Sequence, residues 1–230
     1  MFFAQKRFCP ETVGQDEQGP VQEEGSDRAL RCDACEEKPC RSGNPCTGKP
    51  LPEAFSDPEV KRTLRAASEI EAEFYGVKNR LEEIMEFSRR MGYRKLGLVF
   101  CLGMAEEARL VGQVLSMEFE LEAVCCKIGG FLKKDLGMAE SPDLGAASCN
   151  PAGQAEQLER AGCELAIVMG LCVGHDTVFY RTCRVPVTTL ATKDRVLGHN
   201  PLAAVTCPYV RKRMTRKIAA DLEASRRDEA

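Results

Sequence analysis

Four cysteines fall within fifteen residues: Cys32, Cys35, Cys40 and Cys46, spaced C-x2-C-x4-C-x5-C. Four thiolates complete a tetrahedral all-sulfur site or hold one iron–sulfur cluster. Zinc ribbons usually bring two cysteine knuckles together across a longer insertion. Here all four are consecutive and compact, which is closer to a cluster-binding loop, although the spacing matches neither standard ferredoxin pattern. The first reading is therefore an iron–sulfur cluster, with Zn2+ as the alternative. Pro39 and Pro45 stand beside two of the thiols and stiffen the loop. A cluster would add electron transfer, whereas zinc would staple a loop that cannot order itself.

A second set of soft ligands is scattered. Cys101, Cys126, Cys149 and Cys172 each fall where an apolar run ends or just before a helix start, and Cys172 is followed two residues later by Gly174-His175-Asp176. If the apolar runs are parallel strands, their carboxyl ends share one edge, where sites of α/β sheets lie. These thiols and His175 are thus candidates for a second metal site, with His199 as a weaker one. Of the adjacent pair Cys125 and Cys126, strand alternation turns only one to a given face, and Cys126 is nearer the strand end. Asp176, Lys193 and Asp194 are candidates for proton handling or anion binding. The blander roles are a helix cap for Asp176, a turn for His199 and a solvated loop for Lys193 and Asp194.

The elements that must position these groups can be read from periodicity. Residues 1–29 are polar and predict a disordered tail. Residues 30–55 form the cysteine-rich metal-binding module, rich in Pro, Gly and Asn. Residues 56–230 predict an α/β domain with N- and C-terminal helices. Asp57-Pro58 opens a helix carrying Val60, Leu64, Ala67, Ile70 and Phe74, and a second helix carries Leu81, Ile84, Met85 and Met91 before Gly92. Four β-rich runs follow: 96–101, 121–126, 165–171 and 185–190. Helices alternate with them at 105–117, from Asn150-Pro151 to Gly162, and at 176–182. The last helix spans about 208–226, with Val210, Met214, Ile218 and Leu222 four apart. Nearly continuous apolar runs separated by helices predict a mostly parallel sheet of about four strands, flanked by helices.

Composition sets the class. The chain has 230 residues, 43% hydrophobic and 29% charged, ordinary for a globular protein. Its formal net charge of -3 argues against nucleic acid as a partner. No apolar run reaches the length of a membrane span, which argues against a membrane partner. The N-terminus is too polar for a signal peptide, so a cytoplasmic protein is expected. Thiols stay reduced there, and thirteen cysteines then argue for metal or redox chemistry rather than disulfides. No Walker loop, G-x-S-x-G, HExxH or G-x-G-x-x-G is present.

The segments CNPAGQ (149–154), GLCVGHD (170–176) and KDRVLGHNP (193–201) together resemble an uncharacterised family of predicted metal-binding proteins from archaea and bacteria. The resemblance covers about residues 31–207. It implies metal binding and supplies no reaction.

Two functional readings follow. In one, the chain is a redox or electron-transfer metalloprotein, with a cluster at Cys32–Cys46, a second centre at the strand edge, and a redox partner protein or small-molecule substrate. In the other, one structural zinc supports a non-catalytic α/β module that binds a ligand or partner.

Overall fold

The computed structural model describes residues 30–44 and 52–228. The tail reading for residues 1–29 and the candidate ligand Cys46 lie outside the described residues. The chain divides into two units, Met1–Leu51 and Pro52–Ala230.

The second unit carries four strands, β1 (Lys95–Phe100), β2 (Glu120–Cys125), β3 (Leu165–Met169) and β4 (Val187–Ala191), in the order β2-β1-β3-β4, all parallel. This is the α/β architecture the apolar runs predict. Strand alternation shows why those runs had to be continuous. Leu96, Leu98, Leu165, Ile167 and Met169 pack on one face with Ile84, Ala108 and Leu115. Those partners come from α2 (Arg80–Arg90) and α3 (Ala105–Leu115). Val99, Val124, Ala166 and Val168 pack on the other face with Ala155, Leu158 and Phe179. These belong to α4 (Pro151–Arg160) and α5 (His175–Thr182). Both faces are covered over the central strands β1 and β3, so Leu96–Val99 and Leu165–Met169 are buried without a polar side chain. Each fully buried Leu, Ile or Val contributes about 1.5–3 kcal/mol to this core. Gly97 in β1 is required by packing, since a side chain there would collide with Leu158.

Caps fix the helix starts. Asp57 accepts from the Glu59 and Val60 amides at the start of α1 (Pro58–Phe74). Asn79 and Glu82 form a reciprocal capping box on α2. The expected stripe on α1 is shifted: Ala66 and Ile70 are buried, whereas Leu64 is exposed. Helix α1 packs against α2, so fewer of its residues find cover. Val114 on α3 is likewise exposed. After β4 the chain forms α6 (Ala203–Thr206) and α7 (Pro208–Asp228). Among the described residues no helix is long and apolar enough to cross a membrane.

The strand order creates a switch point. From β1 the chain crosses to β2 on one side, then returns through α4 to β3 on the other side of β1. The loops leaving the carboxyl ends of β1 and β3 therefore diverge and open a crevice.

Candidate metal-binding site at the carboxyl edge

Register brings the thiols to this crevice. Phe100 pairs with Cys125 and with Met169. The ladder runs one residue further, with the Cys126 amide donating to the Phe100 carbonyl at 2.9 Å and the Cys101 amide to the Met169 carbonyl at 3.3 Å. Cys101 and Cys126 thus leave neighbouring strands side by side. Cys149 arrives from a distant loop because the Asn150 amide donates to the Cys126 carbonyl at 2.8 Å. The Asn150 side chain then caps α4 by accepting from the Gly153 amide at 2.9 Å. Cys172 follows β3 across Gly170, where φ is +65° and a side chain would collide with Met104 Sδ. Glycine suits both the positive φ and the contact with the Met104 side chain at the base of the crevice.

The sulfurs form a connected group. Cys126 Sγ lies 3.7 Å from Cys149 Sγ and accepts from the Leu102 amide at 3.4 Å. Cys101 and Cys126 shift each other's titration in opposite directions, and Cys172 feels the charges of Cys101 and Cys149. The Cys101 thiol is pulled down to about 4, first by the Cys126 thiol, then by the Gly103 amide and the Lys193 ammonium. Cys126 is pushed up, by its bond to Cys101 and by burial, so the pair shares one thiolate centred on Cys101. Burial raises the Cys172 thiol, and Arg195 opposes the shift. Arg195 Nη2 stands 2.9 Å from Cys172 Sγ. Lys193 and Arg195 enter no ion pair among the described residues, so both cations are directed at sulfur.

Below this group lies Gln154, fully buried in α4. Its Nε2 donates to the Val124 carbonyl at 2.8 Å and the Phe100 carbonyl at 3.3 Å, the residues just ahead of Cys126 and Cys101 along β2 and β1. Its Oε1 is buried and finds no hydrogen-bond partner among the described residues. Gln154, Gly103 and Arg195 were not singled out by the sequence reading. Gln154 and Arg195 do sit inside its short signatures, but one sequence cannot show that they reach other loops.

The remaining candidates are placed differently. Asp176 accepts from the Gly174 and Thr177 amides and closes the first turn of α5. Asp194 accepts from the Val196 and Leu197 amides, and His199 Nδ1 accepts from the Asp194 amide at 3.1 Å. His199 adopts φ 64°, so this pair builds a turn. His175 is half-buried and opens α5, its amide donating to the Cys172 carbonyl at 2.9 Å. Cys125 is half-buried, while Cys163 and Cys183 belong to the apolar core under α4 and α5.

In the first unit, Cys32 and Cys40 are exposed on two 3-10 turns. Cys35 Sγ accepts from the Lys38 amide at 3.3 Å, where Lys38 adopts φ 47°. Among the described residues no three Cys, His, Asp or Glu side chains already stand as a metal-ligand set. A cavity of about 520 Å³ opens elsewhere, between α1, α2 and the starts of β3 and β4. It is lined by Ile70, Tyr75, Ile84, Phe87, Tyr93 and Val187 among others, and holds no thiol or imidazole. Cys101, Cys126, Cys149 and Cys172 lie at the opposite, carboxyl end of the sheet.

The chain was compared with known proteins. The family described as "Protein of unknown function (DUF1847)" matches residues 46–190. An uncharacterized protein of Methanocaldococcus jannaschii, MJ0455, is 38% identical over 190 residues, which cover 80% of this chain and 98% of the relative. No solved structure matches.

Proposed function

Since this chain belongs to the DUF1847 family, whose description names no activity, we propose a function from its own residues: a thiolate metal-binding protein with a redox role, centred on the carboxyl-edge crevice. The observation that carries this is the convergence of Cys101, Cys126, Cys149 and Cys172 beside Lys193 and Arg195, which meet no carboxylate there. An all-sulfur donor set suits zinc or iron. An ion held tetrahedrally by sulfur at about 2.3 Å separates its ligand sulfurs by about 3.8 Å. The 3.7 Å between Cys126 and Cys149 matches that edge, which favours a single ion here. Side-chain rotation of Cys101 and Cys172 would complete the set.

On this reading the compact module Cys32, Cys35, Cys40 and Cys46 is the iron–sulfur site. Iron at either centre would supply one-electron chemistry. The protein's residues would hold the metal, keep Cys101 ionised for ligation and balance its charge.

The test is metal and acid-labile sulfide content of anaerobically purified full-length protein, beside Cys126→Ser and Cys35→Ser. The expected result is that Cys126→Ser loses one metal equivalent but keeps its sulfide, whereas Cys35→Ser loses the sulfide. Unchanged metal content and absorption in Cys126→Ser would overturn the edge site. A colourless wild-type protein holding zinc and no sulfide would remove the redox role.

A further inference from the structure

The last helix is exposed along most of its length. Every residue of α7 from Arg211 to Arg227 is exposed, including Met214, Ile218 and Leu222. Successive residues turn about 100° around the axis, so Met214 and Leu222 lie about 40° to either side of Ile218 on one face. None of the helix's charged side chains forms an ion pair among the described residues. The charges are uneven along the helix: Arg211, Lys212, Arg213, Arg216 and Lys217 precede Ile218, Asp221 and Glu223 follow it, and Arg226 and Arg227 stand in the last turn.

We infer that α7 is a self-association surface, on which two copies of this chain cross antiparallel at Ile218. A dyad at that residue sets Ile218 against Ile218 of the second copy and Met214 against its Leu222. Lys217 and Asp221 lie on the same flank, about 100° and 60° from Ile218. The dyad keeps that flank on one side, so Lys217 meets Asp221 of the second copy, twice per dimer. A parallel arrangement would instead stack the five cations of both copies. An apolar stripe spaced strictly by four follows one ridge of the helix, and two such ridges interlock at a crossing angle of about −50°. Nucleic acid fits worse, because phosphate contact leaves the Met214–Ile218–Leu222 stripe uncovered. One helix crossing is at the small end of specific interfaces, so the dimer forms at micromolar concentration or above.

The test is sedimentation velocity of the reduced full-length protein from about 1 to 200 µM, a range bracketing a weak interface. The expected result is a rise from the 25.4 kDa chain mass toward twice that value. Ile218→Asp is expected to remain monomeric throughout with an unchanged circular dichroism spectrum, since the site is exposed. Lys217→Asp and Asp221→Lys singly are expected to weaken association several-fold, and the double variant to restore it. A wild-type protein that stays monomeric, or an Ile218→Asp variant that still dimerises, overturns the inference. Failure of the double variant to rescue overturns the antiparallel arrangement. A monomer that instead retards a short DNA duplex would assign the helix to nucleic acid and also overturn it.

Discussion

Replacing Gln154 with leucine should leave the fold almost as stable as before, although Gln154 is fully buried and donates to two strand carbonyls. Each lost hydrogen bond costs about 0.5–1.5 kcal/mol net. The Phe100 carbonyl keeps the Cys126 amide as a donor, so the loss there lies at the low end. Against this stands Oε1, buried without a partner among the described residues. Removing an orphaned buried acceptor recovers about 1–3 kcal/mol. The opposing effects nearly cancel, and Gln154→Leu should change stability by no more than about 1 kcal/mol. Gln154→Glu is the opposite case, because it sets a carboxyl against two carbonyls and keeps the proton only if its pKa rises. A raised folded pKa gives stability that is present below the unfolded value of about 4.3 and is lost as pH rises through the folded one. The glutamate variant should therefore weaken steadily from pH 5 upward, by several kcal/mol at neutrality. Urea denaturation of reduced, metal-free protein followed by circular dichroism measures both. A leucine variant that loses more than about 3 kcal/mol, the upper bound for one unsatisfied group, or a glutamate variant as stable as the leucine one at pH 7, would refute the reasoning.

Three further outcomes are expected. Cys101, with its thiol held at about 4, should react with iodoacetamide in metal-free protein at a nearly constant rate from pH 5.5 to 8. Ordinary thiols speed up about tenfold per pH unit over that range, and peptide mass mapping separates them; a Cys101 rate rising in parallel would refute its assignment as the thiolate. Glu86 is held at about 2 by Lys78 and then Arg90. Its depressed folded value gives stability that is present above the unfolded 4.5 and lost as pH falls toward 2, so Glu86→Gln should flatten acid unfolding between those values. Gly170→Ala places a side chain at φ +65° against Met104 and should cost about 2–4 kcal/mol by thermal unfolding. Adding Met104→Ala should recover only the steric part.

The strands were legible because both faces of the sheet are covered, which forces continuous apolar runs such as 165–169. Their order was not, since nothing in residues 96–100 or 165–169 says which neighbours which. That order decides whether Cys101 and Cys172 meet across one crevice. The fourth strand begins at Val187, after the Val185 and Pro186 of the β-rich run. Pro186 has no amide to donate, and its carbonyl accepts from Ala166 at 2.8 Å as the ladder starts. Cysteine positions at strand ends were readable from the sequence. Gln154 and Arg195 were not, because their partners lie 30 or more and 23 residues away along the chain. The segment between Cys126 and Cys149 carried no periodicity. It is held instead by the Leu132–Ala147 bridge and by Lys127 Nζ donating to the Ala147 carbonyl at 2.5 Å.

The charge balance of the crevice gives the metal reading its physical basis. Two cations, Lys193 and Arg195, reach the sulfurs, yet in the metal-free protein the clearest negative charge there is the thiolate shared by Cys101 and Cys126. Bringing a second cation to a half-buried sulfur gains little while that sulfur stays protonated. Burial does keep Cys172 protonated, despite Arg195. The arrangement would become neutral if all four thiols ionised around a divalent ion or a cluster core of the same charge, since that assembly would carry two net negative charges. Lys193 and Arg195 then each face a full counter-charge, and the proton that Cys126 holds against its neighbour is released on binding. Metal uptake should therefore release protons, since ligation would displace the proton that Cys126 holds beside Cys101.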